Sequence, residues 1–123
     1  MNKKTFIFDI DNTICFTPKN YYSKSKPKKS VIDLINSLKK NGHTIKIFTS
    51  RYMGRNNDNY IKVKKNYYEK IKKQLKKWNV NYDKLIVGKP SYDFFIDDKC
   101  FNIKDKKTFA ILNKFRINEN NKK

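Results

Sequence analysis

The chain has 123 residues and carries 30 Lys+Arg against 11 Asp+Glu, a formal net charge of +19. That length suits one domain, and a composition 37% hydrophobic and 15% aromatic supplies a core, which excludes a wholly disordered chain. No apolar run reaches the roughly 18 residues of a membrane span, Asp9 and Asp11 break the N-terminal apolar stretch as no signal-peptide core tolerates, and Cys15 and Cys100 make no disulfide framework; a cytoplasmic domain without a membrane partner is expected.

Thr5-Phe6-Ile7-Phe8 reads as a buried strand ending at Asp9. Residues 14–29 hold Pro18, Pro27, two tyrosines and a Lys/Ser run, and read as a loop. Ser30 then starts a helix, with Asp33 as its capping-box partner. Val31, Ile32, Leu34, Ile35 and Leu38 form its apolar stripe, and Asn41-Gly42 stops it. His43, just after, reads as a surface turn residue. Thr44 to Phe48 is a second strand, ending at Thr49-Ser50-Arg51, and 52–59 is a polar loop. A long helix is expected over about 60–78, with Ile61, Tyr68, Ile71, Leu75 and Trp78 on one face. Its eight lysines read as a solvated face. Leu85-Ile86-Val87 is a third strand, followed by Gly88-Lys89-Pro90. Phe94-Phe95-Ile96 is a fourth, ending at Asp97-Asp98. One more short element is expected at Thr108 to Leu112. The spans give a single domain over 1–117 and a disordered basic tail over 118–123.

The charge invites a nucleic-acid partner. Yet 27 of the 30 cations are Lys, and the chain also holds 16 Asn and 14 Ile. Those three residues are what an AT-rich genome over-produces. Arg, the better residue for bidentate phosphate contacts, is scarce. The few acids say more. Four of the 11 stand in two pairs, Asp9/Asp11 and Asp97/Asp98, each ending an apolar run. Carboxylates this close repel unless a cation or a proton relieves them.

Strands alternating with helices predict an α/β fold, a Rossmann-like three-layer α/β/α sandwich around a mostly parallel sheet. In such sheets ligands bind beyond the carboxyl ends of the strands. Asp9, Thr49, Lys89 and Asp97 each lie at or just past such an end. Two carboxylate pairs beside a lysine form a hard-oxygen site suited to Mg²⁺ and a phosphoryl group. One His and two distant Cys argue against zinc or a His-based triad. A carboxylate nucleophile needs no His.

Phe8-Asp9-Ile10-Asp11-Asn12-Thr13 resembles the DxDxT motif of the haloacid dehalogenase superfamily. The family's other motifs follow in order: a strand ending in Thr49, a lysine at Lys89, and the pair Asp97-Asp98. The resemblance spans about residues 5–100. Phe48-Thr49-Ser50-Arg51, Gly54-Arg55, Gly88-Lys89-Pro90 and Ile96-Asp97-Asp98-Lys99 are similar to small phosphatases encoded among bacterial capsule and surface-polysaccharide genes. Asn12 stands where many members have Gly.

The resemblance implies a phosphatase working through an aspartyl-phosphate. Asp9 would attack phosphorus, and Asp11 would act as general acid and then base. Thr49 would hold a phosphoryl oxygen, helped by the Ser50 amide, and Lys89 would neutralise charge. Mg²⁺ would be bound by the Asp9 side chain, the Asp11 carbonyl and Asp97, with Asp98 in support. Arg51 and Arg55 follow the phosphate-binding strand end, and one or both are expected to bind a second anionic group on the substrate. Members usually carry a cap domain, for which neither 14–29 nor 52–83 leaves room. An open site suits a large substrate, or a small one in a homo-oligomer; the expected substrate is a small phosphorylated metabolite such as a sugar phosphate. Two other readings stand beside it: a phosphatase for nucleic-acid 3′ or 5′ ends, and a non-catalytic basic binding module.

Overall fold

The computed structural model describes residues 2–116, so the tail expected over 118–123 lies outside the described residues. Strand β1 (Thr5–Phe8) leads into a small antiparallel pair, β2 (Cys15–Phe16) and β3 (Lys26–Pro27). Then follow α1 (Lys29–Lys40), β4 (Thr44–Thr49), α2 (Tyr60–Lys77), β5 (Lys84–Val87) and α3 (Lys106–Asn113). The pair β2–β3 occupies the stretch expected to be only a loop. β1, β4 and β5 form one parallel sheet in that order, the α/β arrangement that its strand–helix alternation dictates.

Pleating sends alternate side chains to one face. Phe8, Ile45, Ile47, Leu85 and Val87 are buried there, with Thr49 at its end. Helix α1 packs against β4 and α2 against β5. In α1 the buried residues are the five expected, Val31, Ile32, Leu34, Ile35 and Leu38. Its start differs. Lys28 is the N-cap and no side chain caps it, because Ser30 already lies inside the helix. Asp33 pairs instead with Lys29, at 3.2 Å. Its end is a Schellman motif: Gly42 at φ +90 lets Gly42 N–H donate to Lys39 O and His43 N–H to Leu38 O.

On α2 the buried residues are Val63, Ile71 and Leu75, with Tyr67, Tyr68 and Trp78 partly covered. Ile61, expected on that face, is exposed, because the seam runs through 63, 67, 71 and 75. All eight lysines of the helix are exposed.

His43 is buried rather than a surface turn residue. Its Nδ1 accepts the Lys4 amide at 3.0 Å, so its Nε2 carries the proton and donates to Phe115 O, also at 3.0 Å. Phe6 and Phe115 meet its ring edge-on. The imidazole thus joins β1 to the chain after α3.

Asp83 makes the matching tie at the other edge. Its Oδ2 accepts the Ile45 amide at 2.7 Å and its Oδ1 accepts from Lys39 Nζ at 2.8 Å. The Lys39 hydrogen bond, then the Ile45 amide, hold its carboxyl below the usual range. A depressed carboxyl pKa adds stability above the unfolded pKa, lost as pH falls through the folded one. Asp83→Asn is therefore expected to destabilise the protein by about 1 kcal/mol at neutral pH. In thermal melts, the gap should close as pH drops below about 4.

The expected fourth strand does not form. Residues 91–100 are all exposed and join no sheet, and Phe94 and Ile96 are bare. Three apolar residues flanked by aspartates offer little ladder. Two rings of this stretch, Tyr92 and Phe95, turn toward Lys89 instead. Cys100 lies exposed at its end.

Candidate active site

The loop after β1 winds around one carbonyl. Ile10 O accepts from the amides of Thr13, Ile14 and Cys15 at 3.1, 2.9 and 3.3 Å. Asn12 turns the chain at φ +61, a left-handed conformation that Asn accepts better than most residues. Its Oδ1 takes the Thr17 amide at 3.2 Å, so the residue that stands in place of Gly has its own bond here. Ile10 is buried, while Asp9 and Asp11 on either side stay partly open to solvent. Burial pushes the Asp9 carboxyl above its usual range, against the opposing pull of Lys89.

Thr49 ends β4 with its side chain buried, and its Oγ1 accepts the Arg51 amide at 3.1 Å. Ser50 follows, half-buried, its carbonyl taking the Met53 amide. Arg51 overturns one expectation. Its side chain is 2% exposed and faces inward, so it is no hand for a second substrate anion. Its Nε lies 3.1 and 3.0 Å from Asp11 Oδ1 and Oδ2, and its Nη2 2.9 Å from Oδ1. Nη1 donates to Gln74 Oε1 at 2.5 Å and Nη2 to Ser25 Oγ at 3.2 Å. The plane lies over the Tyr22 ring at 4.8 Å. A guanidinium fork suits a carboxylate better than any other cation, and the nearest carboxylate is Asp11. Thr17 Oγ1 donates to Asp11 Oδ1 at 2.5 Å. Oδ1 is thus crowded, whereas Oδ2 shares only the Nε proton among the described contacts. Arg55 stays exposed, bonded to Asn20 O at 3.0 Å and stacked near Tyr22 and Tyr52.

Beyond β5, Gly88 adopts φ +91 with the Tyr60 ring against it. A Cβ there would lie 2.0 Å from that ring, so only Gly fits. The turn delivers Lys89, whose amide donates to Thr49 O and whose side chain is 8% exposed. Lys89 Nζ stands 3.9 Å from Asp9 Oδ1 and donates to the Tyr92 hydroxyl at 2.8 Å. The structure therefore brings Asp9, Asp11, Thr49, Ser50 and Lys89 to one end of a parallel sheet, as their sequence positions imply.

It does not bring the second acidic pair there. Asp97 and Asp98 are exposed, Asp97 Oδ1 accepting the Lys99 amide at 3.1 Å. That amide bond, and then Asp98, lower the Asp97 carboxyl. Among the described residues no group of three or more His, Cys, Asp or Glu could hold a metal. The strand expected to end at that pair does not form. Of the Mg²⁺ ligands that the resemblance implies, Asp9 and Asp11 remain at this edge of the sheet. Mg²⁺ takes one or two carboxylates and fills its octahedron with water and substrate phosphate, so this reduced set fits.

Several contributors were not singled out in the sequence: Thr17, Ser25, Gln74, Tyr92 and Phe95. Gln74 had a signal, a polar residue beside Leu75 on the packed side of an amphipathic helix. Cys15 is a buried thiol among Thr17, Asp11 and Arg51, and burial pushes its pKa up, which keeps it a quiet packing residue.

A scan against protein-family models and a search of curated proteins returned no match. Among solved structures the chain is similar to an MCSG target from Vibrio cholerae, with a TM-score of 0.76 and 27% identity over 89% of this chain and 95% of that one. It is also similar to a chain of the Pnkp1/Rnl/Hen1 complex, with a TM-score of 0.52 and 20% identity over 87% of this chain. It spans 33% of that longer chain, and the likeness is one of fold.

Proposed function

We propose that the protein is a phosphoric monoester hydrolase of the haloacid dehalogenase type, without a cap domain, acting on a small phosphorylated metabolite such as a sugar phosphate. One observation carries this reading: the Lys89 ammonium lies 3.9 Å from the Asp9 carboxylate at the sheet's carboxyl edge, with Asp11 beside it. A cation there draws in a phosphate, and a carboxylate there attacks it. An Asp9 oxygen adds to phosphorus as the ester P–O bond breaks. Asp11 gives its proton to the departing alkoxide. Asp11 then takes a proton from water, whose oxygen attacks the aspartyl-phosphate, freeing phosphate and Asp9. Lys89 holds the phosphoryl oxygens throughout. Asp9 and the Asp11 carbonyl would hold Mg²⁺, which supplies charge screening between carboxylate and phosphate.

Release of inorganic phosphate from hexose phosphates, nucleotides and phosphorylated oligonucleotides, with Mg²⁺ or with EDTA, tests the proposal. Hydrolysis that EDTA abolishes is expected. No release under any condition would refute it. The eight exposed lysines of α2 favour one second reading, a nucleic-acid end as substrate. For that reading KM on oligonucleotides must rise steeply with salt.

A further inference from the structure

We propose that Tyr92 and Phe95 form the subsite for the organic part of the phosphate ester, and that this subsite takes a ring. The proposal rests on the phosphatase reading. Both rings are half-exposed, at 44% and 46%. Both rings also border Lys89, with Nζ 4.5 Å from the Tyr92 centroid at its hydroxyl end and 4.6 Å from the Phe95 centroid. Phe48 stands farther off, at 5.8 Å. Lys89 is the cation that would hold the phosphate, so whatever the phosphate carries must leave past these rings.

The wall is built, not draped. Asp58 Oδ1 takes the Ser91 amide at 3.2 Å and the Ser91 hydroxyl at 2.9 Å, which pins the start of the segment. Tyr92 and Phe95 then meet edge to face at 5.5 Å and 61°, which sets their mutual angle. The Tyr92 hydroxyl accepts from Lys89 Nζ, so its own proton remains for an oxygen of the substrate. Apolar faces left half in water beside a charged site gain by stacking on a ring. Sugars and nucleobases both present one.

The test compares kcat/KM for a hexose phosphate, a nucleoside monophosphate and glycerol phosphate, which is acyclic. Phe95→Ala and Tyr92→Ala should lower the ratio of ring-bearing to acyclic substrate by about tenfold. Tyr92→Phe, which keeps the ring, should hold that ratio. The ring substrate whose ratio falls further identifies the source, sugar or nucleoside. An equal loss on all three substrates would mean that the rings serve only Lys89, and overturns the subsite. So does a ratio that does not move. If the unsubstituted protein releases phosphate from none of the three, the phosphatase reading itself fails and the subsite with it. Circular dichroism checks that the variants fold.

Discussion

Asp9→Asn is expected to lower turnover of every phosphate ester by about 10⁴-fold or more, with no loss of stability. The amide keeps the shape of the carboxyl but cannot attack phosphorus. Asp9 stands after β1 rather than in the core, so its exchange leaves packing alone. The sign of the stability effect follows from its pKa. Burial raises it, which means that the fold disfavours the charged form. A raised carboxyl pKa subtracts stability above the folded value, and that penalty fades as pH falls through it. Removing the charge should therefore leave the thermal midpoint at neutral pH level or slightly higher. Steady-state assay and a thermal melt on one preparation separate the two effects. Retained turnover in a folded variant would exclude Asp9 as nucleophile.

Arg51→Ala should instead damage both the fold and the chemistry. Removing the guanidinium leaves Asp11, Gln74 and Ser25 without their shared partner. Breaking a buried ion pair from one side costs about 3 kcal/mol, roughly 10 °C in a domain of this size. The chemical effect is selective. On the proposed mechanism Arg51 would act through Asp11, whose carboxyl oxygens its guanidinium holds. A displaced general acid hurts poor leaving groups most, so alkyl phosphates should lose about 100-fold more activity than aryl phosphates. Arg51→Lys, which keeps the charge but not the fork, should recover stability in part and the alkyl activity little. Equal losses on alkyl and aryl substrates would show that Arg51 serves the fold alone.

The readings that survived contact with the structure were local ones. The α1 stripe, the Gly42 stop, the extent of α2 and the three parallel strands follow from spacing and turn chemistry, which act within a few residues. The placement of Asp9, Thr49 and Lys89 at one sheet edge was legible too, because parallel strands share a direction and each residue sits where its strand ends. The similarity to solved structures concerns this same frame.

The errors concerned partners far apart in the chain. Arg51 looked like a substrate ligand because it follows the strand end. Its partner, Asp11, lies 40 residues away and draws it inward. His43 looked like a turn residue until Lys4 and Phe115 closed on its two nitrogens. Asp97 and Asp98, metal ligands by the resemblance, follow a strand that was expected over Phe94-Phe95-Ile96 and does not form. That strand needs a ladder, and Tyr92 and Phe95 pack on Lys89 instead.

The amino-acid sequence thus determined by itself at which end of the sheet Asp9, Thr49 and Lys89 gather, since period and strand polarity are properties of the chain. Only the tertiary structure decided what each of them touches. A buried charge or ring settles against whichever group best offsets its desolvation, and that group can come from anywhere in the fold.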